Sequence, residues 1–340
     1  MVTLEEIALE AGVSRYTVSN VLRGRNKEKW ACTVERAERI RGIAERLNYR
    51  PNAAAVATAT GRFGAVGLLA SRHHPHGALL NTLLYSIRHH LTERELHLTL
   101  GDLPDESLTD EAYVPRILRE WSVDGLLINY ISGIPDKMIE LIQRYQIPSV
   151  WLNAKLESDC VYPDDFEAAQ RACKYLQGMG HRRIAYVDYM GSNHYSATDR
   201  RNGYLRAMRS ARLKPQILSN GREIPQAKWI DLSCEWLRLA DRPTAVITYE
   251  ADRALPVFCA TLKLGLNVPR DLSILSFHHI NVVRVGMPLT TMEIPMVQCG
   301  EVAVEMLNEK ICNPSLALPA RAIKANLLEG TNCAPPSKNA

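Results

Sequence analysis

Near the start of the chain, apolar positions recur at helical spacing: Leu4, Ile7, Ala8 and Ala11 fall on one face. Thr3-x-x-Glu6 ahead of them reads as a capping box, the hydroxyl accepting from the Glu6 amide while the carboxylate reaches back. Gly12 then allows the tight turn that a positive φ permits, and Ser14 caps a second helix. In that helix Val18, Val21 and Leu22 face the first, which leaves Arg15, Tyr16, Ser19 and Asn20 on an outward polar side. Two short helices about a tight turn make a helix-turn-helix. A third helix is predicted from a cap at Thr33, with Ile40, Ile43, Ala44 and Leu47 inward. An alanine-rich stretch follows over residues 52–60, with good helix propensity but shorter than the roughly 12–15 residues that are marginal alone in water.

Beyond Gly64 the pattern changes to short apolar runs alternating with helical stretches. Strands are predicted at 65–70, 96–100, 125–128, 149–152, 184–187, 245–248 and 273–277. Alternation of this kind implies parallel sheets covered by helices on both faces, and the number of strands requires two sheets.

The length of 340 residues exceeds what one core usually serves, so two or three domains are expected. With 46% hydrophobic residues but no apolar run of roughly 18–20 residues, no membrane span is expected. The opening Met1-Val2-Thr3-Leu4-Glu5-Glu6 lacks a basic and apolar leader, which points to the cytoplasm. The eight cysteines, at 32, 160, 173, 234, 259, 299, 312 and 333, include no C-x-x-C pair and read as reduced thiols. The net charge of +4 is unevenly placed: residues 1–62 carry eleven Lys/Arg against seven Asp/Glu, and the remainder is neutral. A basic head on a neutral body suits a phosphate backbone, although a solvated charged face has the same composition. Gly178-Met179-Gly180 lacks the third glycine of a dinucleotide fingerprint, and neither a phosphate-binding G-x-x-x-x-G-K-[ST] nor a G-x-S-x-G elbow occurs, so an enzyme and a resident cofactor are not expected.

The run Leu4-x-x-Ile7-Ala8-x-x-Ala11-Gly12-Val13-Ser14-x-x-Thr17-Val18-Ser19-x-Val21-Leu22 resembles the head of the lactose-repressor and galactose-repressor (LacI/GalR) family. So does Asn48-Tyr49-Arg50-Pro51-Asn52-Ala53-Ala54-Ala55, the family's run into its hinge helix; together they cover the first 60 residues. The resemblance implies a transcriptional regulator, expected to be a repressor, binding a palindromic double-stranded DNA operator as a homodimer, its second helix in the major groove. Arg15, Tyr16 and Asn20 occupy the family's base-reading positions, and Thr17 and Ser19 suit phosphates. Thr3, Ser14, Arg25 and Lys27, the last two in an inserted basic loop, join the DNA-binding candidates, as do Asn52, Ala55, Val56 and Thr58 of the hinge, which is expected to order on DNA. Thr58 stands where the family wedges a leucine between base steps, so Val56 is an alternative wedge.

The body also resembles the family's effector domain, itself similar to periplasmic sugar-binding proteins, through Val123-Asp124-Gly125-Leu126-Leu127, Gly180-His181-Arg182-Arg183-Ile184-Ala185, Arg200-x-x-Gly203-Tyr204, Val268-Pro269-Arg270-Asp271-Leu272-Ser273 and Pro288-Leu289-Thr290-Thr291. The implied fold is an α helix-turn-helix domain (1–50), a hinge (51–61) and an α/β periplasmic-binding-protein-like domain (62–335) of two doubly wound parallel-sheet lobes, the N-lobe at about 62–160 and 292–318 and the C-lobe at about 161–291 and 319–330. A small-molecule effector, a sugar or a relative, is expected between the lobes, with His74, His76, Asp164, Arg200, Glu250 and His278 as candidates. Ser276-Phe277-His278-His279 replaces the family's Gly-Phe-Asp-Asp, and His74-Pro75-His76-Gly77 replaces an aromatic platform. The histidines, with His73 and His279, suit a metal, an anionic effector, or merely solvated loops; adjacent pairs on a strand point to opposite faces. The polar C-terminus shows no leucine heptads, which favours a dimer over a tetramer. Alternatives are an effector-independent architectural DNA binder and a pure ligand-binding protein.

Overall fold

In the computed structural model, residues 2–24, 31–71, 81–103, 122–130, 136–189, 194–218, 225–278, 283–284 and 286–337 are described. They fall into two units that divide between Phe63 and Gly64.

The first unit holds helices α1 (Leu4–Ala11), α2 (Arg15–Leu22), α3 (Ala31–Arg46) and α4 (Ala53–Thr60). Both halves of the Thr3/Glu6 capping box are formed, and Gly12 ends α1 in the left-handed region at φ +65°. Ser14 caps α2 by accepting from the Thr17 amide at 3.1 Å. Ile7, Ala8, Ala11, Val18, Val21, Ala37, Ile40, Ile43 and Ala44 close into one small core. The Arg39 guanidinium donates to the Ala11 carbonyl at 2.8 Å, placing a cation at the negative end of α1. Thr33 is not the cap expected: α3 begins two residues earlier and places it in the first helical turn. Cap signals in sequence locate helix ends only to within one or two residues.

The second unit contains two six-stranded sheets. The first has the order β13-β5-β4-β3-β1-β2, from β1 (Ala65–Ser71), β2 (His97–Leu103), β3 (Gly125–Asn129), β4 (Ser149–Leu152), β5 (Cys160–Pro163) and β13 (Arg321–Ile323), and every pairing in it is parallel. Successive strand residues turn to opposite faces: Leu68 and Leu127 meet α5 (Asn81–Thr92) and α11 (Met296–Cys312), whereas Leu69, Leu126 and Ile128 meet α6 (Asp136–Arg144). The second sheet has the order β14-β12-β9-β8-β6-β7, from β6 (Ile184–Val187), β7 (Gln216–Leu218), β8 (Ala245–Thr248), β9 (Ser273–His278), β12 (Thr290–Glu293) and β14 (Asn326–Leu328). Its faces are covered by α7 (Asp165–Gly178) with α8 (Tyr195–Ser210), and by α9 (Trp229–Leu237) with α10 (Ala251–Lys263). A two-stranded ribbon, β10 (Val283–Arg284) and β11 (Met287–Pro288), precedes β12.

Strand pairing moves the lobe limits by a few residues. β5 and β13 belong to the first sheet and β12 to the second, so the chain crosses at 163–165, 293–296 and 323–326 rather than near 161, 291 and 318. The hydrogen bonds of an edge strand, invisible in its own short sequence, decide which lobe owns it. β14 runs antiparallel to β12, an edge exception to the expected parallel order. Past β14 the tail lies along the second lobe: buried Asn332 accepts from the Thr290 amide at 2.6 Å, and the Ser273 hydroxyl donates to the Ala334 carbonyl at 3.0 Å.

Candidate nucleic-acid interface and interlobe site

In the helical unit, burial of Val18 and Val21 against α1 and α3 fixes which side of α2 faces out. Tyr16 is 76% exposed. Arg15 is also exposed and pairs with Glu5 of α1 at 2.9 Å, so a carboxylate already orients the guanidinium. Ser19 and Asn20 are half-buried on the flank of α2, less outward than the helical spacing predicts. Thr3 is occupied in its own box and Ser14 caps α2, so these two serve first as caps, and the Thr17 hydroxyl is in contact with that of Ser14 at 2.9 Å. Arg25 and Lys27 lie outside the described residues.

The hinge is a formed helix, although ordering only on DNA is the sequence expectation. Asn52 caps it by accepting from the Ala55 amide at 3.3 Å, and Gly61 closes it at φ +68° with its amide on the Ala57 carbonyl. Such caps satisfy end groups that otherwise fray. Ala55 and Thr58 are exposed and three residues apart, hence on one face, whereas Val56 is half-buried and Ala57 buried.

In the second unit, side chains of α8 reach the first lobe. The imidazole of His194, just before α8, bonds the Asn153 carbonyl through Nε2 at 2.8 Å and the Ser196 hydroxyl through Nδ1 at 2.7 Å. Ser196 contacts the Tyr249 hydroxyl at 2.8 Å. A carbonyl only accepts, so Nε2 carries the proton and Nδ1 accepts. Tyr195 donates to the Pro163 carbonyl at 3.2 Å, and Lys155 pairs with Asp199 at 2.7 Å; that hydrogen bond raises the Lys155 pKa.

Arg200 of α8 is buried together with Asp165. Its Nε donates to Asp165 at 2.6 Å and its Nη1 to the Tyr249 carbonyl at 2.5 Å. The guanidinium lies 4.7 Å from the Tyr249 ring centroid and 4.4 Å from that of Phe277. Burial works against its charge, but Asp165, with Tyr249 and Tyr186, raises the pKa above the ordinary arginine value. The pair is thus an ion pair without net charge, between two aromatic faces.

The other expected effector residues are dispersed. Asp164 caps α7 by accepting from the Glu167 amide at 3.0 Å. Glu250 pairs with Arg253 at 3.0 Å, and that guanidinium lies over the Trp229 ring. His278 ends β9 half-buried, in register with Glu293 of β12. His73, His74, His76 and His279 lie outside the described residues. Spacing did not single out Asp165, His194, Asp199 or Tyr249, because their partners are 35 or more residues away in sequence; the doubled acid Asp164-Asp165 is the one local hint.

Burial lowers the pKa of His194, and of His181, whose ring bonds Thr244 and the Ala334 carbonyl. Asp165, Asp199 and Arg200 also act on His194. Below the ordinary imidazole value of 6.5 the unfolded chain binds more protons than the folded one. The stability from both rings is therefore complete above that value and is lost as pH falls through the folded pKa. The melting temperature of the second unit should drop on going from about pH 7.5 to about pH 5.5, and His194→Gln should flatten that slope. An unchanged slope would show that His194 is not one of the titrating groups.

Comparison with known proteins places both units. The bacterial regulatory proteins of the lacI family match over residues 3–52, and a periplasmic binding protein-like domain matches over residues 173–331. The chain is similar to the HTH-type transcriptional repressor PurR of Proteus mirabilis (strain HI4320), with 30% identity over 322 residues, 92% of this chain and 91% of that protein. Its identity to the repressor of the same name from Escherichia coli O1:K1 / APEC is 29% over 321 residues, again 92% of this chain and 91% of that protein. The lac repressor dimer bound to operator and the anti-inducer ONPF shares the fold at a TM-score of 0.77, with 18% identity and coverage of 98% of this chain and 99% of that one. A LacI family transcriptional regulator from Mycobacterium smegmatis gives 0.61 at 25% identity, over 80% of this chain and all of that one. No helix among the described residues is long and apolar enough to cross a membrane. A helix-turn-helix that matches through all its helices, and a repressor similar over nine-tenths of both chains, establish that the protein belongs to the lacI family of bacterial regulatory proteins, a family of transcriptional regulators and not of enzymes.

Proposed function

We propose that the protein is a cytoplasmic transcriptional repressor that binds a palindromic DNA operator as a homodimer and answers to a small, uncharged polar effector held between the lobes of its second unit. The observation that carries the DNA part is the presentation of α2: Val18 and Val21 are buried while Arg15 and Tyr16 stand exposed at its N-terminal end. The first residues of such a helix meet base edges in the major groove. The solved lac repressor is a dimer on its operator, and a two-fold protein suits a two-fold site.

In the proposed complex Arg15 donates twice to a guanine and Asn20 pairs with an adenine, each worth about 1–3 kcal/mol of discrimination. The exposed α4 face of Ala55 and Thr58 supplies hinge contacts, and Thr58, lacking the bulk of an apolar wedge, opens a base step less than a leucine does. Arg15→Ala and Asn20→Ala are each expected to weaken binding to an operator selected from random duplexes by roughly 5- to 150-fold, while affinity for random DNA stays unchanged. Equal losses on both DNAs would reject base reading. An operator-to-random ratio near one for the unaltered protein would favour an architectural binder instead.

For the effector, the supporting observation is the neutral Arg200–Asp165 pair between Tyr249 and Phe277. An arginine already matched by a carboxylate suits hydroxyl groups better than an anion. Related regulators have been solved with ribose and with cellobiose. A thermal-shift screen of neutral sugars against sugar acids tests this reading; stabilisation by the acids alone would overturn it.

A further inference from the structure

We propose that the C-terminal end of α5 carries a binding site for a divalent transition-metal ion of the zinc, nickel and copper class, formed by His89, His90 and Glu93. The three side chains offer ligand atoms that all lie within 4.8 Å of one another. His89 Nε2 is 3.5 Å from Glu93 Oε1, and His90 Nδ1 is 3.1 Å from Glu93 Oε2. Nitrogen and oxygen ligands lie about 2.0–2.1 Å from such an ion, so neighbouring donors are about 3.0 Å apart in an octahedral arrangement and about 3.4 Å apart in a tetrahedral one. Both observed separations are of this size.

The local helix explains why the three groups meet. Glu93 follows His89 by four residues and His90 by three, and its amide still bonds the His89 carbonyl at 3.1 Å, so its carboxylate rises between the two rings. Ile87 and Leu91 are buried in the lobe's core and hold this face outward. Three further contacts steady the ligands: the Tyr85 ring is parallel to that of His89 with centroids 6.2 Å apart, Arg94 donates to the His90 carbonyl at 2.9 Å, and Thr92 donates to the Arg88 carbonyl at 2.8 Å. Two imidazoles and one carboxylate are too rich in nitrogen for magnesium or calcium and suit zinc, nickel or copper. Three ligands leave the remaining positions to water or to a donor from another molecule. Arg94, 4.0 Å from Glu93 Oε2, competes for the carboxylate but is not locked onto it. The site shares no residue with α2 or with the Arg200 pair, and none of its ligands is among His73, His74, His76, His278 or His279.

The test uses the full chain, stripped with a chelator and carrying Cys32→Ser and Cys312→Ser to remove the two exposed thiols. Calorimetric titration with Ni²⁺ should show one site per chain that His89→Ala and Glu93→Gln each weaken by about tenfold or more, the least that losing a supporting group costs at metal sites. Mg²⁺ should give no saturable heat. Ni²⁺ should also raise the melting temperature of the parent and not that of the variants, whose melting in chelator should match the parent because these positions are half-exposed. Nickel binding of unchanged affinity and stoichiometry in both variants would place the ion elsewhere and overturn the proposal. The same holds if the parent shows no nickel site: the short contacts are then only hydrogen bonds between imidazole and carboxylate.

Discussion

Asp165→Ala is expected to destabilise the second unit by about 3–5 kcal/mol, the cost of leaving a buried charge without its partner. Arg200 and Asp165 are 5% and 2% exposed, so water cannot replace the lost carboxylate. What then remains around the guanidinium is the Tyr249 carbonyl and two ring faces, which orient it but do not neutralise it. Arg200→Met alone should also be costly, because it leaves the carboxylate of Asp165 buried and unpaired. Combining Arg200→Met with Asp165→Leu removes both charges and should recover most of the loss, since apolar replacement of a buried pair is often close to neutral. Urea unfolding of the second unit followed for the four chains gives the cycle directly. A loss below about 1 kcal/mol for Asp165→Ala, the range of an exposed pair, would mean that solvent reaches the site. The double variant separates stability from function: it should fold and still fail to respond to an effector that depends on the pair.

Val18→Asp is expected to abolish operator binding, with a loss of at least about 100-fold, while the second unit keeps its melting temperature. Val18 is wholly buried among Ile7, Ala8, Val21, Ala37 and Ile40. A unit of this size is stabilised by only about 3–9 kcal/mol. An unpaired carboxylate in its core costs several kcal/mol, which is enough to unfold the three helices. Because contacts cluster separately on the two sides of Phe63 and Gly64, the damage should stay in the first unit. Circular dichroism of the variant should therefore lose helix without losing the main thermal transition. Binding within about threefold of the parent would show that this core is not what presents α2.

The two variants probe features of different legibility. The head was readable because its signals are local. Thr3 and Glu6, Gly12, and Ser14 with Thr17 act across three or four residues, and the contrast of buried Val18 and Val21 with exposed Arg15 and Tyr16 follows from helical pitch alone. Six of the seven predicted strands were readable because a strand buried on both faces is a continuous apolar run; the seventh, the edge strand β2, showed instead as alternation, with Leu98 half-buried and Leu100 exposed. β7, β13 and β14 have only three residues, and the four of β5 and β12 include a proline or polar side chains, so these five carry too little pattern to be told from loop. The lobe limits depended on them and so moved.

Within the candidate sites, residue type pointed to Arg200 but not to its surroundings. Asp165 and Tyr249 meet it across 35 and 49 residues, and no spacing rule spans such intervals. Asp164 was the expected partner of a ligand, yet it caps α7, while its neighbour Asp165 turns inward to the arginine. One step along the chain separates a helix cap from a buried counter-ion.

By itself, then, the sequence determined the helix-turn-helix and the two-sheet α/β body, because caps, pitch and apolar runs act through neighbours a few residues apart, whereas the family rested on the resemblance of its motifs. Only the tertiary structure decided that Arg200 is neutralised, that His194 joins the lobes, and where the chain crosses between sheets. Those outcomes depend on burial and on partners brought together by folding, and the free energy of a charge or an edge strand is set by what surrounds it.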